Sequence, residues 1–309
     1  MQFPNKVRIV EVGPRDGLQN EANLVSTDVK VDLIERLADA GLTTIEAGSF
    51  VSPKWVPQMA DTADVLARIS HRPGVTYPVL VPNDKGLDAA IAAGVAEIAV
   101  FAAASEAFSK KNINCSIDES LQRFAPVLAR SHERGIRVRG YVSCVLGCPY
   151  QGDVPLADVA RVAAQLIDMG CYEVSLGDTI GVGTPSAAVA MLDAVLERVP
   201  VEGVALHFHD TYGQALANIH ACLGRGVAVL DAAVGGLGGC PYAKGATGNV
   251  ATEDLVYMLQ GMGMETGIDL DRLIATSVHI SRALGRSPQS HVARARAAFS
   301  LSPEGRGPG

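Results

Sequence analysis

The 309-residue chain has no excess of positive charge, few cysteines and no long apolar run. Each absence excludes a class of protein. Lys and Arg number 26 against 33 Asp and Glu, a formal charge of −7 with no basic stripe, so nucleic acid is not an expected partner. The longest apolar stretch, residues 89–104, is interrupted by Gly94 and Glu97 and is too short to span a bilayer. The opening MQFPNKVRIVEVG lacks both the apolar segment of a secretory signal and the Arg/Ser-rich character of a transit peptide. Six cysteines, Cys115, Cys144, Cys148, Cys171, Cys222 and Cys240, form no disulfide framework. Reduced thiols and a cytoplasmic location are therefore expected.

What is present is a composition for a large core: 48% hydrophobic and 19% charged residues. Short β-rich runs at 7–13, 43–47, 76–81, 97–102, 137–145, 173–177, 205–209 and 227–233 alternate with segments of helical periodicity, such as Val29, Leu33, Ile34, Leu37 and Ala38. Eight strand–helix repeats in about 250 residues predict an α/β chain folded as a (β/α)8 TIM barrel. A doubly wound open sheet would usually carry fewer strands and a glycine-rich phosphate turn near its start, and none follows the first strand. Further helices are expected near 252–261 and 270–284. Residues 1–285 are read as one catalytic domain, and 286–309, ending Gly-Arg-Gly-Pro-Gly, as a flexible tail.

A barrel of this kind carries its chemistry at the C-terminal ends of its strands. Polar residues collect there. The first strand runs into Gly13-Pro14-Arg15-Asp16-Gly17-Leu18-Gln19, the second carries Glu46, the sixth ends at Asp178-Thr179, and the seventh reads Leu206-His207-Phe208-His209-Asp210. Residues i and i+2 of a strand share a face, so His207 and His209 can reach one ion. Two hydrogen-bonded core histidines would give the same pattern, but the position at a strand end favours an ion. Asp16 offers a carboxylate and Asn249 an amide oxygen. Such a set with open positions fits Mg²⁺ or Mn²⁺ better than a structural Zn²⁺ site.

Arg15, beside Asp16, suits a developing oxyanion, although an arginine there could also form a simple ion pair. Glu46, buried near a cation, is expected to stay ionised and to orient rather than to donate protons. Glu11 is a candidate support beneath the site. Asp178 could align a histidine or act as a base. Cys240 lies in a glycine-bearing loop over the active face and could carry a proton-transferring thiol on a mobile lid. Cys144 and Cys148 read as small core or loop residues. Lys110 and Lys111 could meet phosphates of an extended ligand.

Taken together, EVGPRDGLQNE at 11–21, SFVSPKWVPQM at 49–59, KKNINCS at 110–116, residues 139–150, SLGDTIGVGTP at 175–185, residues 207–217 and residues 235–259, with the signature GLGGCPYA at 236–243, resemble the hydroxymethylglutaryl-CoA lyase family over residues 7–284. The resemblance implies cleavage of 3-hydroxy-3-methylglutaryl-CoA to acetoacetate and acetyl-CoA, as in leucine degradation, with a divalent cation. It implies Asp16, His207, His209 and Asn249 as metal ligands, and Arg15, Cys240, Asp178 and Glu46 as catalytic residues. Gln19, Lys111, Arg139 and Tyr141 are expected at the acyl-CoA substrate, and the chain is expected to be a homodimer. Gly48 departs from the small hydroxyl residue expected at its position. Two other readings are a condensing synthase, which would usually carry a further C-terminal domain, and a non-catalytic metal- or CoA-binding module.

Overall fold

The computed structural model describes residues 3–240 and 243–300, with the side chains of 240, 243–247 and 297–300 outside that description. The barrel strands follow in chain order. They are β1 (Arg8–Glu11), β2 (Thr44–Ile45), β3 (Gly48–Ser49), β4 (Val79–Leu80), β5 (Glu97–Ala103), β6 (Arg137–Ser143), β7 (Glu173–Asp178), β8 (Val204–Phe208) and β9 (Val229–Ala232). They form one parallel sheet in the order β2-β1-β9-β8-β7-β6-β5-β4-β3. The end strands β2 and β3 are successive pieces of one path. The Glu46 N–H bonds the Glu11 carbonyl on one side, and the Ile45 and Ala47 N–H groups bond the Thr76 and Pro78 carbonyls on the other. The sheet thus closes on itself as an eight-position TIM barrel whose second strand is split. All eight expected strands are found, with ends differing by a few residues.

Helices α1 (Thr27–Asp39), α2 (Thr62–Arg68), α3 (Asp84–Ala92), α4 (Glu106–Ile113), α5 (Ile117–Glu133), α6 (Leu156–Asp168), α7 (Pro185–Leu196) and α8 (Ala215–Leu223) lie between the strands. Sequence-local caps set several starts: Ser26, Asn83 and Ser105 each accept a backbone N–H of the first turn, and Ser116 with Glu119 forms a capping box. Such caps stabilise a helix by about 1 kcal/mol each. The periodic positions Leu33, Ile34 and Leu37 of α1 are fully buried against the barrel, which is what their spacing requires.

After β9 come a two-stranded hairpin, β10 (Gly239–Cys240) with β11 (Ala243–Thr247), and the helices α9 (Thr252–Gly261), α10 (Leu270–Ala283) and α11 (His291–Ser300). The last of these replaces part of the expected tail. Its start is held from a distance: the Asp254 carboxylate on α9 accepts the Ser290 hydroxyl and the backbone N–H groups of His291 and Val292. Ala293 of α11 is fully buried. Residues 301–309 lie outside the described residues. Among the described residues no helix is long and apolar enough to cross a membrane.

Candidate active site

The chain leaves β1 through a π-type turn, Gly13–Gly17, that delivers Arg15 and Asp16 to the barrel mouth. Glu11 holds this turn. Its Oε1 accepts the N–H groups of Gly13 (2.8 Å) and Val234 (2.9 Å), and its Oε2 accepts the Thr252 hydroxyl (2.7 Å). A Cβ at position 13 would sit 2.5 Å from that Oε1, so glycine is required there. Glu11 therefore supports the site from below. Burial pushes its carboxyl up to about 7, with the three hydrogen bonds opposing.

Asp16, His207 and His209 converge so that one ligand atom from each lies within 4.8 Å of the others. His207 turns Nε2 toward Asp16 Oδ2, 4.0 Å away, while its Nδ1 lies 3.2 Å from Asp231 Oδ2. His209 Nδ1 is buried without a hydrogen-bond partner among the described residues. Burial and the neighbouring His207 push the His209 imidazole down to about 4, so it stands neutral, as a ligand nitrogen must. Burial works to raise Asp16, but Arg15, His207, His209 and Asn249 together hold its carboxyl at about 2. Three donors of this kind, one anionic and one an orphaned buried nitrogen, fit a divalent cation. Asn249 adjoins them: its Nδ2 donates to Asp16 Oδ2 at 2.8 Å, and its backbone pairs with His209. Gly238, at φ +115°, makes room for this amide, since a Cβ there would lie 2.9 Å from Nδ2.

Arg15 completes the anion-binding half. Its Nη1 donates to Asp16 Oδ1 (2.7 Å), its Nε and Nη2 both reach Glu46 Oε2 (2.7 Å), and its guanidinium stands 5.5 Å from the Tyr141 ring centre. Glu46 is buried and its Oε1 has no partner among the described residues. Burial raises its carboxyl above the usual range, with Arg15 pulling it back. The Tyr141 hydroxyl accepts from Arg139 (3.0 Å) and donates to Glu46 (3.3 Å).

These groups open onto a cleft of about 850 Å³ that Arg15, Asp16, Gln19, Lys111, Tyr141, His207 and His209 help to line. Most expected site residues are thus brought together. Arg139 is the correction. It is 1% exposed, does not line the cleft, and spends its donors on Glu173, Tyr141 and Asp231 inside the barrel. Asp178 holds its own loop, accepting the N–H groups of Val182 (3.3 Å) and Gly183 (2.8 Å), and burial raises its carboxyl. Cys144 and Cys148 are buried in a small apolar cluster with Ala103 and Phe108. The Cys240 thiol lies outside the described residues. Sequence reading missed Asp231, whose signal was an acid inside the otherwise apolar run Val227-Ala228-Val229-Leu230-Asp231-Ala232.

The HMGL-like family profile matches residues 6–280. The chain belongs to the HMGL-like family. Its relatives include the mitochondrial hydroxymethylglutaryl-CoA lyase of Bos taurus, 63% identical over 293 residues, covering 95% of this chain and 90% of that protein. A Pseudomonas aeruginosa enzyme named 3-hydroxy-3-isohexenylglutaryl-CoA/hydroxymethylglutaryl-CoA lyase is 60% identical over 295 residues, covering 96% of this chain and 98% of its own. The crystal structure of hydroxymethylglutaryl-CoA lyase from Pseudomonas aeruginosa superposes with a TM-score of 0.95 at 60% identity, covering 97% of this chain and all of that one.

Proposed function

We propose that this chain is a divalent-metal-dependent carbon–carbon lyase that splits 3-hydroxy-3-methylglutaryl-CoA into acetoacetate and acetyl-CoA. The observation that carries the reading is the Arg15 guanidinium set directly beside the Asp16–His207–His209 cluster on the wall of one cleft, in a member of the HMGL-like family. Asp16, His207, His209 and Asn249 would hold Mg²⁺ or Mn²⁺, which supplies a Lewis acid for the substrate's oxygens.

The remaining chemistry falls to the chain's own side chains. Once a basic group at the cleft takes the proton of the tertiary hydroxyl, the oxygen's electron pair forms the ketone of acetoacetate and the C2–C3 bond breaks. The bonding pair passes to the thioester as an enolate. Arg15, whose direction is supported by its hydrogen bonds to Glu46 and Asp16, would meet that charge. A pre-oriented cation of this kind needs no reorganisation as the charge develops. The Cys240 thiol, at the end of β10, would protonate the enolate carbon. Gln19 and Lys111 on the cleft wall would contact the acyl chain and the phosphates of CoA. Asp178 keeps the β7 loop in place beside His207.

The reading includes a homodimer in the cytoplasm, supported for the location by five free cysteines among the described residues. Product analysis over a small panel of acyl-CoA thioesters with Mg²⁺ tests the function. Acetoacetate from 3-hydroxy-3-methylglutaryl-CoA supports a lyase. Condensation of acetyl-CoA with a 2-oxo acid would instead make the chain a synthase. No turnover of any thioester would leave only a binding module.

A further inference from the structure

The barrel interior beneath the cleft holds a buried ion network that the lyase chemistry does not use directly. Arg139 on β6 lies between Glu173 on β7 and Asp231 on β9. Arg8, from β1, reaches the other oxygen of Glu173. Asp231 is 1% exposed and has four polar atoms within hydrogen-bond reach, three of them fixed donors. Arg139 Nη2 binds its Oδ1 at 2.7 Å; Arg139 Nη1 (3.1 Å), the Ser175 hydroxyl (2.8 Å) and His207 Nδ1 (3.2 Å) share its Oδ2. The parallel register makes His207 and Asp231 direct neighbours on β8 and β9, so the contact is set by strand pairing.

We infer that Asp231 is the positioning residue of His207: it fixes the imidazole with Nδ1 protonated and leaves the Nε2 lone pair aimed at the ion position beside Asp16. The reasoning is one of satisfiability. A carboxylate held by a two-pronged guanidinium is ionised and can only accept, so the group opposite it must donate. Nδ1 therefore carries the proton, and Nε2 is left bare toward Asp16. Arg139 and Ser175 keep Asp231 from turning away. A ligating histidine whose second nitrogen donates to a carboxylate is held in both tautomer and ring orientation. The sequence of contacts Arg8–Glu173–Arg139–Asp231–His207 thus runs from the far end of the barrel to the cleft and ends on a ligand nitrogen. This role rests on the metal-dependent reading above.

The same arrangement would also serve as a purely structural ion network, and the experiment separates the two. The first readout is the ¹⁵N spectrum of His207 in metal-free wild-type protein at pH 8, assigned with a His207→Gln variant. Nδ1–H is expected; an Nε2–H tautomer would overturn the inference, and this arm needs no variant at 231 to fold. The second readout is Mn²⁺ affinity without substrate, by titration calorimetry. Asp231→Asn should bind Mn²⁺ roughly 10- to 100-fold more weakly, the scale of lost outer contacts at metal-binding histidines. Glu173→Gln also disturbs Arg139 but does not touch His207, and should stay within about twofold of wild type. Wild-type affinity in Asp231→Asn, or an equal loss in Glu173→Gln, would reduce Asp231 to a structural counter-ion. If wild type itself bound no Mn²⁺, the metal-dependent reading would fail, and the tautomer arm would still decide the position of the proton.

Discussion

Arg15 places both Nε and Nη2 on a single oxygen of Glu46, 2.7 Å from each, and leaves Nη1 on Asp16. The second Glu46 oxygen has no partner among the described residues. The guanidinium is therefore held along one edge beside the ion-binding cluster, where, on the proposed mechanism, charge would appear only when the carbon–carbon bond breaks. Arg15→Met should lower kcat and kcat/KM together by roughly 10²-fold or more, read by steady-state kinetics. A raised KM with unchanged kcat would reassign Arg15 to substrate binding.

The same pair has a stability consequence. Glu46 is 1% exposed and the Arg15 side chain 7%, so solvent cannot compensate a broken pair. Glu46→Ala should destabilise the protein by about 3–5 kcal/mol, because a buried cation loses its main partner. Urea unfolding measures this. A loss under about 1 kcal/mol, the range of exposed pairs, would mean that water reaches Arg15 freely.

Two buried acids at the base of the β9 exit predict a pH dependence. Burial raises Glu11 to about 7 and Glu253 to about 8, from an ordinary value of 4.5; hydrogen bonds oppose burial at both, and the Glu11 charge adds to the rise at Glu253. Both folded-state values lie above the unfolded one, so folding retains protons. Their stabilising contribution is fully present below about pH 4.5 and is lost as pH rises through about 7 and 8. Glu253→Gln, neutral at every pH, should flatten the fall in Tm between pH 5 and 8 by roughly 5 °C or more. Parallel Tm–pH curves for variant and wild type would contradict this.

Much of the barrel was legible because its signals are local. Short β-rich runs marked the strands, helical spacing marked α1, α5, α6, α7, α8, α9 and α10 but not the shorter α2, α3 and α4, and the polar strand ends marked Arg15, Asp16, His207 and His209. The residues that escaped depend on neighbours distant in sequence. Asp231 becomes meaningful only when strand pairing sets it against His207, and Arg139 looks like a ligand-binding cation until Glu173 and Asp231 are seen to engage it inside the barrel. Helix α11 does carry a local signal, Ser290, which accepts the Ala293 N–H, but its start is also tied to Asp254, 37 positions before His291, a partner visible only in the fold. The split of the second strand has a similar cause: its two halves are recognised through different neighbours, β1 and β4.

Cys148-Pro149-Tyr150 and Cys240-Pro241-Tyr242 repeat one tripeptide, but the two thiols should behave differently. Cys148 is 3% exposed and accepts the Ser105 hydroxyl at 2.9 Å, away from the ion-binding cluster. Cys148→Ser should therefore be mild. Cys240→Ser should lose roughly 10²–10⁴-fold in kcat, since a hydroxyl is a far weaker acid than a thiol, with metal content unchanged. Side-by-side kinetics with metal analysis decide between them. Near-normal turnover in the Cys240 variant, or an equal loss in the Cys148 variant, would remove the thiol from the mechanism.

The most direct test is quantitative product analysis from 3-hydroxy-3-methylglutaryl-CoA before and after exhaustive chelation, with metal content measured on the same samples. Acetoacetate and acetyl-CoA should appear in equal amounts, should vanish when the metal is removed, and should return with Mg²⁺ or Mn²⁺. Full cleavage by protein shown to be metal-free would contradict a reaction built on Asp16, His207 and His209.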